Sequence, residues 1–292
     1  MGIKMITSQL TGGLGGIGNQ LFQYSAGRSL ALQHGVSLRL LHRINKSLDY
    51  TQHKVDLTHF NIQADIVNRI KPIEHILPSS FKSFLQGGFP KVFYETKLHY
   101  DEDFARLGSN TRIKGYWQSE RYFKSFEKQI REELKIITPP SDRNVKLMEK
   151  ILILPSVSVH IRRGDYITNP TTNAYHGTCD LNYYDRAMKY IREHMAEDPI
   201  IFVFSDDPKW VRENFNPPFE TTYVDFNDVS TSYEDLRLMA CCKHNIIANS
   251  SFSWWGAWLN QNQNKIVVAP KEWYAKAAAY NPDMVPNDWW SC

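Results

Sequence analysis

Cysteine is scarce in this chain. Its 292 residues include four, Cys179, Cys241, Cys242 and Cys292. None stands in C-x-x-C spacing, so neither a zinc knot nor a disulfide framework is expected, and a reducing, cytoplasmic setting is. Charge of one sign is also lacking: 34 basic residues face 31 acidic ones, a formal net charge of +3. No basic stripe forms, which argues against a nucleic-acid partner. The first thirty residues lack the ordered parts of a signal peptide and no apolar run reaches bilayer length, so no membrane span is expected. Aromatic surface, by contrast, is plentiful, at 13% of residues with eight Trp. Most of it suits a core; Trp and Tyr faces also suit stacking on bases and packing on sugar C–H surfaces.

A chain of this length favours two α/β lobes over one. Lys4 to Leu10 reads as a strand, Asn19 to His34 as a helix with Leu21, Tyr24 and Leu30 inward, ended by Gly35, and Val36 to Leu41 as a second strand. From Asn61 to Glu133 the pattern weakens, with Pro72, Pro78, Gly87-Gly88 and Pro90 punctuating what read as short helices. "IITPPSDRN", Ile136 to Asn144, reads as a linker, giving lobes 1–140 and 141–292. Beyond it "SVSVHI" is a strand with Val157, Val159 and Ile161 on one face and Ser158, His160 and Arg162 on the other. Asp180 N-caps a helix with Leu181, Tyr184, Met188 and Ile191 inward, and "IIFVF" is a strand buried on both faces. "TTYVDF", "NIIAN" and "KIVVAP" add strands, with helices near Ser232 and Ser251, so a doubly wound parallel sheet is expected.

Ligands of such sheets bind outside the carboxyl ends of the strands. That rule selects "RRGDY" (162–166), "SDD" (205–207), "DF" (225–226) and "NSSFS" (249–253). Arg162 offers a planar, permanently charged fork to a pyrophosphate, with Asp165 placed to orient it; a plain Arg–Asp ion pair is the alternative. His160 shares its face. Asp206 and Asp207 could hold a divalent cation, but adjacent carboxylates diverge and Pro208 makes a helix cap as good an explanation. Asp101 to Asp103 read as a solvated acidic turn. Asp235 follows Ser232 in an S-x-x-D capping box, which accounts for it structurally. Ser250, Ser251 and Ser253 sit at a strand-to-helix junction suited to phosphate, while Trp255 and Trp258 read as core and Trp254 stays open.

Gly13, Gly15 and Gly18 match the G-x-G-x-x-G dinucleotide turn. The acid such a site needs about 20 residues on is missing: Arg39, Leu40 and Leu41 stand there. An arginine suits a 2′-phosphate, so an NADP-dependent oxidoreductase stays as an alternative, as does a non-catalytic glycan-binding protein. Asn19 and Gln20 follow the turn, where they either meet a polar ligand or simply cap the helix.

Taken together, "GGIGNQLFQYSAG", "HIRRGDY", "GYWQSERYF", "FVFSDDP" and "NSSFSWWGAWLN" resemble the α-1,2-fucosyltransferases of glycosyltransferase family 11, nearly end to end. The resemblance implies two Rossmann-like lobes of GT-B type. It also implies inverting transfer of L-fucose from GDP-β-L-fucose to the 2-hydroxyl of a terminal galactose, without a required metal or other cofactor. By the same resemblance 1–140 is the acceptor-side lobe and 141–292 the GDP-sugar lobe. Arg162 would stabilise the departing GDP with His160 beside it and Asp165 fixing the loop. Related α-1,6-fucosyltransferases carry a guanine-binding acid sixteen residues before the second serine of the S-S pair; counted back from Ser251, this is Asp235. Ser250, Ser251, Ser253 and Asn249 would lie near the phosphates, Ser205 and Asp206 near the nucleotide or fucose, and Gly18, Asn19 and Gln20 at the cleft, with Gly115 to Tyr122 on the acceptor side. The usual G-G-L-G-N-Q is lengthened here to G-G-L-G-G-I-G-N-Q, leaving Gly12 and Gly13 as extra residues. The general base is left between Asp165 and His176.

Overall fold

The computed structural model describes residues 4–10, 16–43, 55–69, 91–276 and 279–292. The chain divides into two compact units, Met1–Ile137 and Thr138–Cys292. Each is built on its own parallel sheet, the α/β class with two Rossmann-like units expected above.

In the first unit, β1 (Met5–Leu10) leads to α1 (Ile17–His34) and β2 (Ser37–Arg43). Next come β3 (Asp65–Arg69), β4 (Lys91–Tyr94), β5 (Thr111–Lys114) and α2 (Glu127–Glu133). The sheet order is β3-β2-β1-β5-β4, with every pairing parallel. The helix begins two residues before the Asn19 expected. Gly16 is its N-cap, so the Asn19 side chain is not the cap, and Gly35 ends it with φ 60°. The described part of the weakly patterned region holds the short helices expected, 3₁₀ turns at Glu102–Arg106, Glu120–Tyr122 and Lys124–Phe126 and the helix α2, and in addition β3, β4 and β5, which the sequence did not announce. Strands of four or five residues show too few alternations to announce themselves. Pro72, Pro78, Gly87-Gly88 and Pro90 lie outside the described residues, as do Gly12, Gly13 and Gly15.

α1 is buried on nearly every side, and α2 locks onto it through a buried cluster. The Tyr24 hydroxyl donates to Glu133, whose carboxylate also takes a forked pair from Arg28 at 2.7–3.0 Å. A buried carboxylate is tolerable only with such partners, and here a guanidinium, a phenol and the Gln129 amide at 2.8 Å supply them.

The second unit runs α3 (Asp142–Ile153), β6 (Ser156–Ile161), α4 (Gly164–Thr168), α5 (Pro170–His176) and α6 (Leu181–Glu193). It continues with β7 (Ile200–Ser205), α7 (Pro208–Asn214), β8 (Thr221–Val224), α8 (Ser232–Cys241) and β9 (His244–Ile246). α9 (Ser251–Leu259), β10 (Val267–Ala269) and β11 (Trp290–Ser291) complete it. The sheet order is β11-β10-β9-β6-β7-β8, all parallel. β6 and β7 are central, which explains why "IIFVF" is apolar on both faces.

Val157, Val159 and Ile161 pack against Tyr183, Tyr184, Met188 and Ile191 of α6. Burial of a large apolar side chain of this kind contributes roughly 1.5–3 kcal/mol. Asp180 caps α6, accepting from the Tyr183 N–H at 2.8 Å. Leu181 does not point inward as expected, being 37% exposed. It stands in the first turn, where a helix has barely closed on the sheet, and Tyr183 takes the core position. Trp254 is fully buried, its indole N–H donating to Met284 O at 2.8 Å, which assigns it to the core.

Candidate active site

The carboxyl ends of β6 and β7 bring the expected side chains of the second unit together. Arg162 follows β6 directly and is clamped by two carboxylates, Asp165 at 2.5 Å and Asp206 at 2.9 Å. Burial works against its charge, but Asp206 and Asp165 outweigh that and hold its pKa above the ordinary value. The Asp206 carboxylate also accepts from the Arg163 N–H at 2.8 Å. Gly164 permits this approach: a Cβ there would stand 2.2 Å from Asp206 Oδ2. Two donors of the Arg162 fork are therefore fixed, whereas its buried Nε has no hydrogen-bond partner among the described residues. The side chain remains 30% exposed, so its permanent charge is presented at the rim.

His160 lies in the body of β6 and is 4% exposed. Burial, reinforced by the Arg162 charge, pushes its imidazole down to about 3. It stays neutral near pH 7, and among the described residues its buried Nδ1 has no partner. It can shape the floor under Arg162 or accept one hydrogen bond, but it adds no positive charge. Arg163 is occupied elsewhere, bonded to Asp207 at 3.2 Å and lying 3.5 Å over the Trp210 ring.

Tyr166 extends this cluster. Its ring sits under the Arg162 guanidinium at 5.1 Å and stacks on His176 at 4.7 Å and 12°. Its hydroxyl, pushed up to about 12 by burial, points toward Asn249 O at 3.4 Å. His176 is brought beside Arg162 and Asp165, and burial lowers its pKa although the Asp165 charge opposes that. Among the described residues its buried Nδ1 has no hydrogen-bond partner.

The remaining expected residues divide. Ser205 Oγ accepts from the Asp207 N–H at 3.0 Å, and Ser250 caps α9 by accepting from the Phe252 N–H at 3.3 Å. Ser253 Oγ donates to Ala248 O and Ser250 O, and Ser251 opens the helix half-buried. The Asn249 amide is spent on the carbonyls of His176, Gly177 and Trp273 at 2.9–3.3 Å, so this residue braces the His176 loop. In the first unit Gln20 is buried, with Oε1 accepting from the Asp56 N–H at 2.9 Å, while Asn19 Oδ1 accepts from Gln118 Nε2 at 2.8 Å. Gly18 lies buried within α1.

Asp206 and Asp207 diverge as their adjacency implies. Asp206 serves Arg162, whereas Asp207 caps α7 by accepting from the Trp210 N–H at 3.2 Å. Among the described residues no three His, Cys, Asp or Glu side chains converge as metal ligands do.

Asp235 corrects the capping-box reading. The box is one turn earlier: Asp228 accepts from the Thr231 N–H, and the Thr231 hydroxyl accepts from the Asp228 N–H, around a 3₁₀ turn at Val229–Thr231. Asp235 is instead a half-buried carboxylate whose donor is Asn227 Nδ2 at 2.7 Å. Asn227 is itself held in a reciprocal amide pair with Asn144 at 3.0 and 3.1 Å. Burial raises the Asp235 pKa to about 7, opposed by Asn227 and aided by Glu234. Tyr166 entered the sequence reading only as the last residue of the selected "RRGDY" segment, with no role of its own, and Asn227 was not singled out.

A parallel sheet whose strand ends carry a carboxylate-clamped, partly exposed arginine presents a fixed positive charge at its strand-end rim, as α/β proteins with ligands at that rim do. Comparison with known proteins sharpens the class: the sequence model of Glycosyl transferase family 11 matches residues 14–291, and the chain belongs to that family. It is 35% identical to the alpha-1,2-colitosyltransferase of Escherichia coli over 98% of both chains. It is 26% identical to the galactoside 2-alpha-L-fucosyltransferase of Caenorhabditis elegans over 94% of this chain and 76% of that one. Among solved structures, the NodZ alpha-1,6-fucosyltransferase soaked with GDP-fucose is similar at 15% identity and TM-score 0.49, covering 88% of this chain and 93% of that one. The protein is accordingly a glycosyltransferase, which sets aside the oxidoreductase and lectin alternatives. No described helix is long and apolar enough to cross a membrane.

Proposed function

We propose that the protein transfers L-fucose from GDP-β-L-fucose to the 2-hydroxyl of a terminal galactose in a glycan, with inversion. The observation that carries this reading is Arg162: a permanently charged guanidinium at the strand-end rim, aimed by two carboxylates and still 30% exposed. A pyrophosphate is an anion such a fixed, partly exposed guanidinium suits. The relatives' names, an alpha-1,2-colitosyltransferase and a galactoside 2-alpha-L-fucosyltransferase, support glycosyl transfer with an α-1,2 linkage.

In the reaction the acceptor oxygen bonds to the anomeric carbon from the face opposite GDP, and the bond from that carbon to the β-phosphate oxygen breaks. Its electron pair leaves with GDP, where Arg162 stabilises the growing charge. Asp235 would accept from the N1–H and N2–H edge of guanine, and Asp165 and Asp206 keep the arginine aimed. The acceptor hydroxyl must lose its proton to a base. His176 is better suited than Asp165, because burial lowers its pKa and favours the neutral imidazole a base requires, whereas Asp165 is engaged by Arg162. No step requires a metal.

A second reading replaces fucose by colitose, favoured by the 35% identical relative. Incubation with lactose and either GDP-sugar, with and without chelator, tests both, the linkage being read by NMR. Absence of any glycosylated lactose, with GDP released only by hydrolysis, would remove the galactoside reading.

A further inference from the structure

In the first unit the sheet order reverses beside β1: β2 and β3 run out on one side and β5 and β4 on the other. The crevice outside the carboxyl ends of β1 and β5 is therefore its ligand position by the switch-point rule. The turn leaving β5, Gly115-Tyr116-Trp117-Gln118-Ser119, forms one wall. Trp117 is the single non-glycine residue with positive φ among the described residues, at 59°. For a bulky side chain that conformation costs on the order of 1–3 kcal/mol and persists only where surroundings over-determine it.

Two constraints do so. The Trp117 ring is fully buried, stacked on Phe93 at 6.1 Å and edge-on to Tyr122 at 5.2 Å. Its backbone is held by Glu95, the residue directly after β4, which accepts from the Tyr116 N–H at 2.7 Å and the Trp117 N–H at 2.8 Å. Gly115 makes room, since a Cβ there would lie 2.4 Å from Glu95 Cβ. No cation pairs with this half-buried carboxylate among the described residues. Its charge is spent on two consecutive backbone N–H groups. The turn so fixed leaves Tyr116 38% exposed and joins Gln118 to Asn19 at the start of α1. Amide and aromatic groups without a dedicated charge suit an uncharged polyol better than a phosphate.

Resting on the transferase reading above, we propose that Glu95 is a positioning residue that holds the strained Gly115–Ser119 turn in the form that binds the uncharged sugar acceptor. Glu95→Gln removes one acceptor oxygen and sets an NH₂ against an N–H. The expected result is a KM for lactose raised roughly tenfold, equivalent to about 1.4 kcal/mol, with donor KM and acceptor-free GDP-fucose hydrolysis within twofold of wild type. Ligand-observed NMR should show the same weakening of lactose binding. If Glu95→Gln does not fold, Gln118→Ala should give the same acceptor-selective loss. A fall in kcat with both KM values unchanged, as from a smaller folded fraction, would overturn the proposal, as would a change confined to the donor or failure of the wild type to bind lactose. Wild-type protein that binds lactose without transferring to it counts against the transferase reading alone, and the NMR comparison still decides the role of Glu95.

Discussion

The proposed guanine contact of Asp235 predicts a donor affinity that depends on pH in a range where the donor itself does not titrate. Its carboxyl titrates near 7 in the free protein because burial outweighs the Asn227 hydrogen bond and Glu234 adds to the rise. Only the ionised form accepts from both N–H groups of a guanine edge. Apparent Kd then scales as one plus the ratio of protonated to ionised Asp235, about 1.1 at pH 8 and about 11 at pH 6. GDP-fucose should bind about tenfold more weakly at pH 6, close to 1.4 kcal/mol. Its pyrophosphate diester has no titration between these values, which makes it a better probe than GDP.

The sign for stability runs the other way. A carboxyl raised above its unfolded value of 3.8 to about 7 stabilises the fold below pH 4 and loses that contribution as pH rises through 7, a difference on the order of 4 kcal/mol. The ligand-free protein should therefore lose thermal stability between pH 5 and 8 through this group, and GDP-fucose should restore it. Calorimetric titration at pH 6, 7 and 8 checks the affinity, with Asp235→Asn flattening the profile and Asn227→Ala moving its midpoint upward. A wild-type Kd constant across this range, or an unchanged slope in Asp235→Asn, would refute the reasoning.

Arg162→Ala should lower kcat by about 10²–10³ with GDP-fucose, as for loss of one preorganised donor, and near-normal turnover in steady-state kinetics would remove its role. Gly164→Ala forces Asp206 away from Arg163 N and Arg162, so kcat should fall at least tenfold while the melting temperature drops by only a few degrees. His176→Asn should slow transfer to lactose more than acceptor-free hydrolysis of the donor, a ratio read by product chromatography. Turnover should survive chelator unchanged, because Asp206 and Asp207 are committed to Arg162 and to the cap of α7.

The sequence was most legible where one period ran long enough to repeat. α1, β6 and α6 extend over enough residues for helical or alternating order to show, β7 shows as an unbroken apolar run, and the strand-end rule then delivered Arg162, Asp165 and Asp206 to one rim. It was least legible in the first unit, where β4 and β5 are four residues each. Asp235 misled because Ser232 stands three residues before it, whereas the 3₁₀ turn at Val229–Thr231 moves the real box to Asp228. Glu95 gave no sign at all. Its partners are main-chain N–H groups 21 and 22 residues away, which any side chains could carry.

The approach of Asp206 to Gly164 has a consequence for how such proteins can diverge. Two strand ends, 42 positions apart in the chain, share one space too small for a β-carbon, so neither can drift alone. Across descendants of this chain, a larger residue at 164 should appear only with a shorter side chain at 206. Any attempt to recombine donor specificity by exchanging the "HIRRGDY" segment should carry "FSDD" with it, since a chimera that mixes the two would inherit an arginine without its clamp.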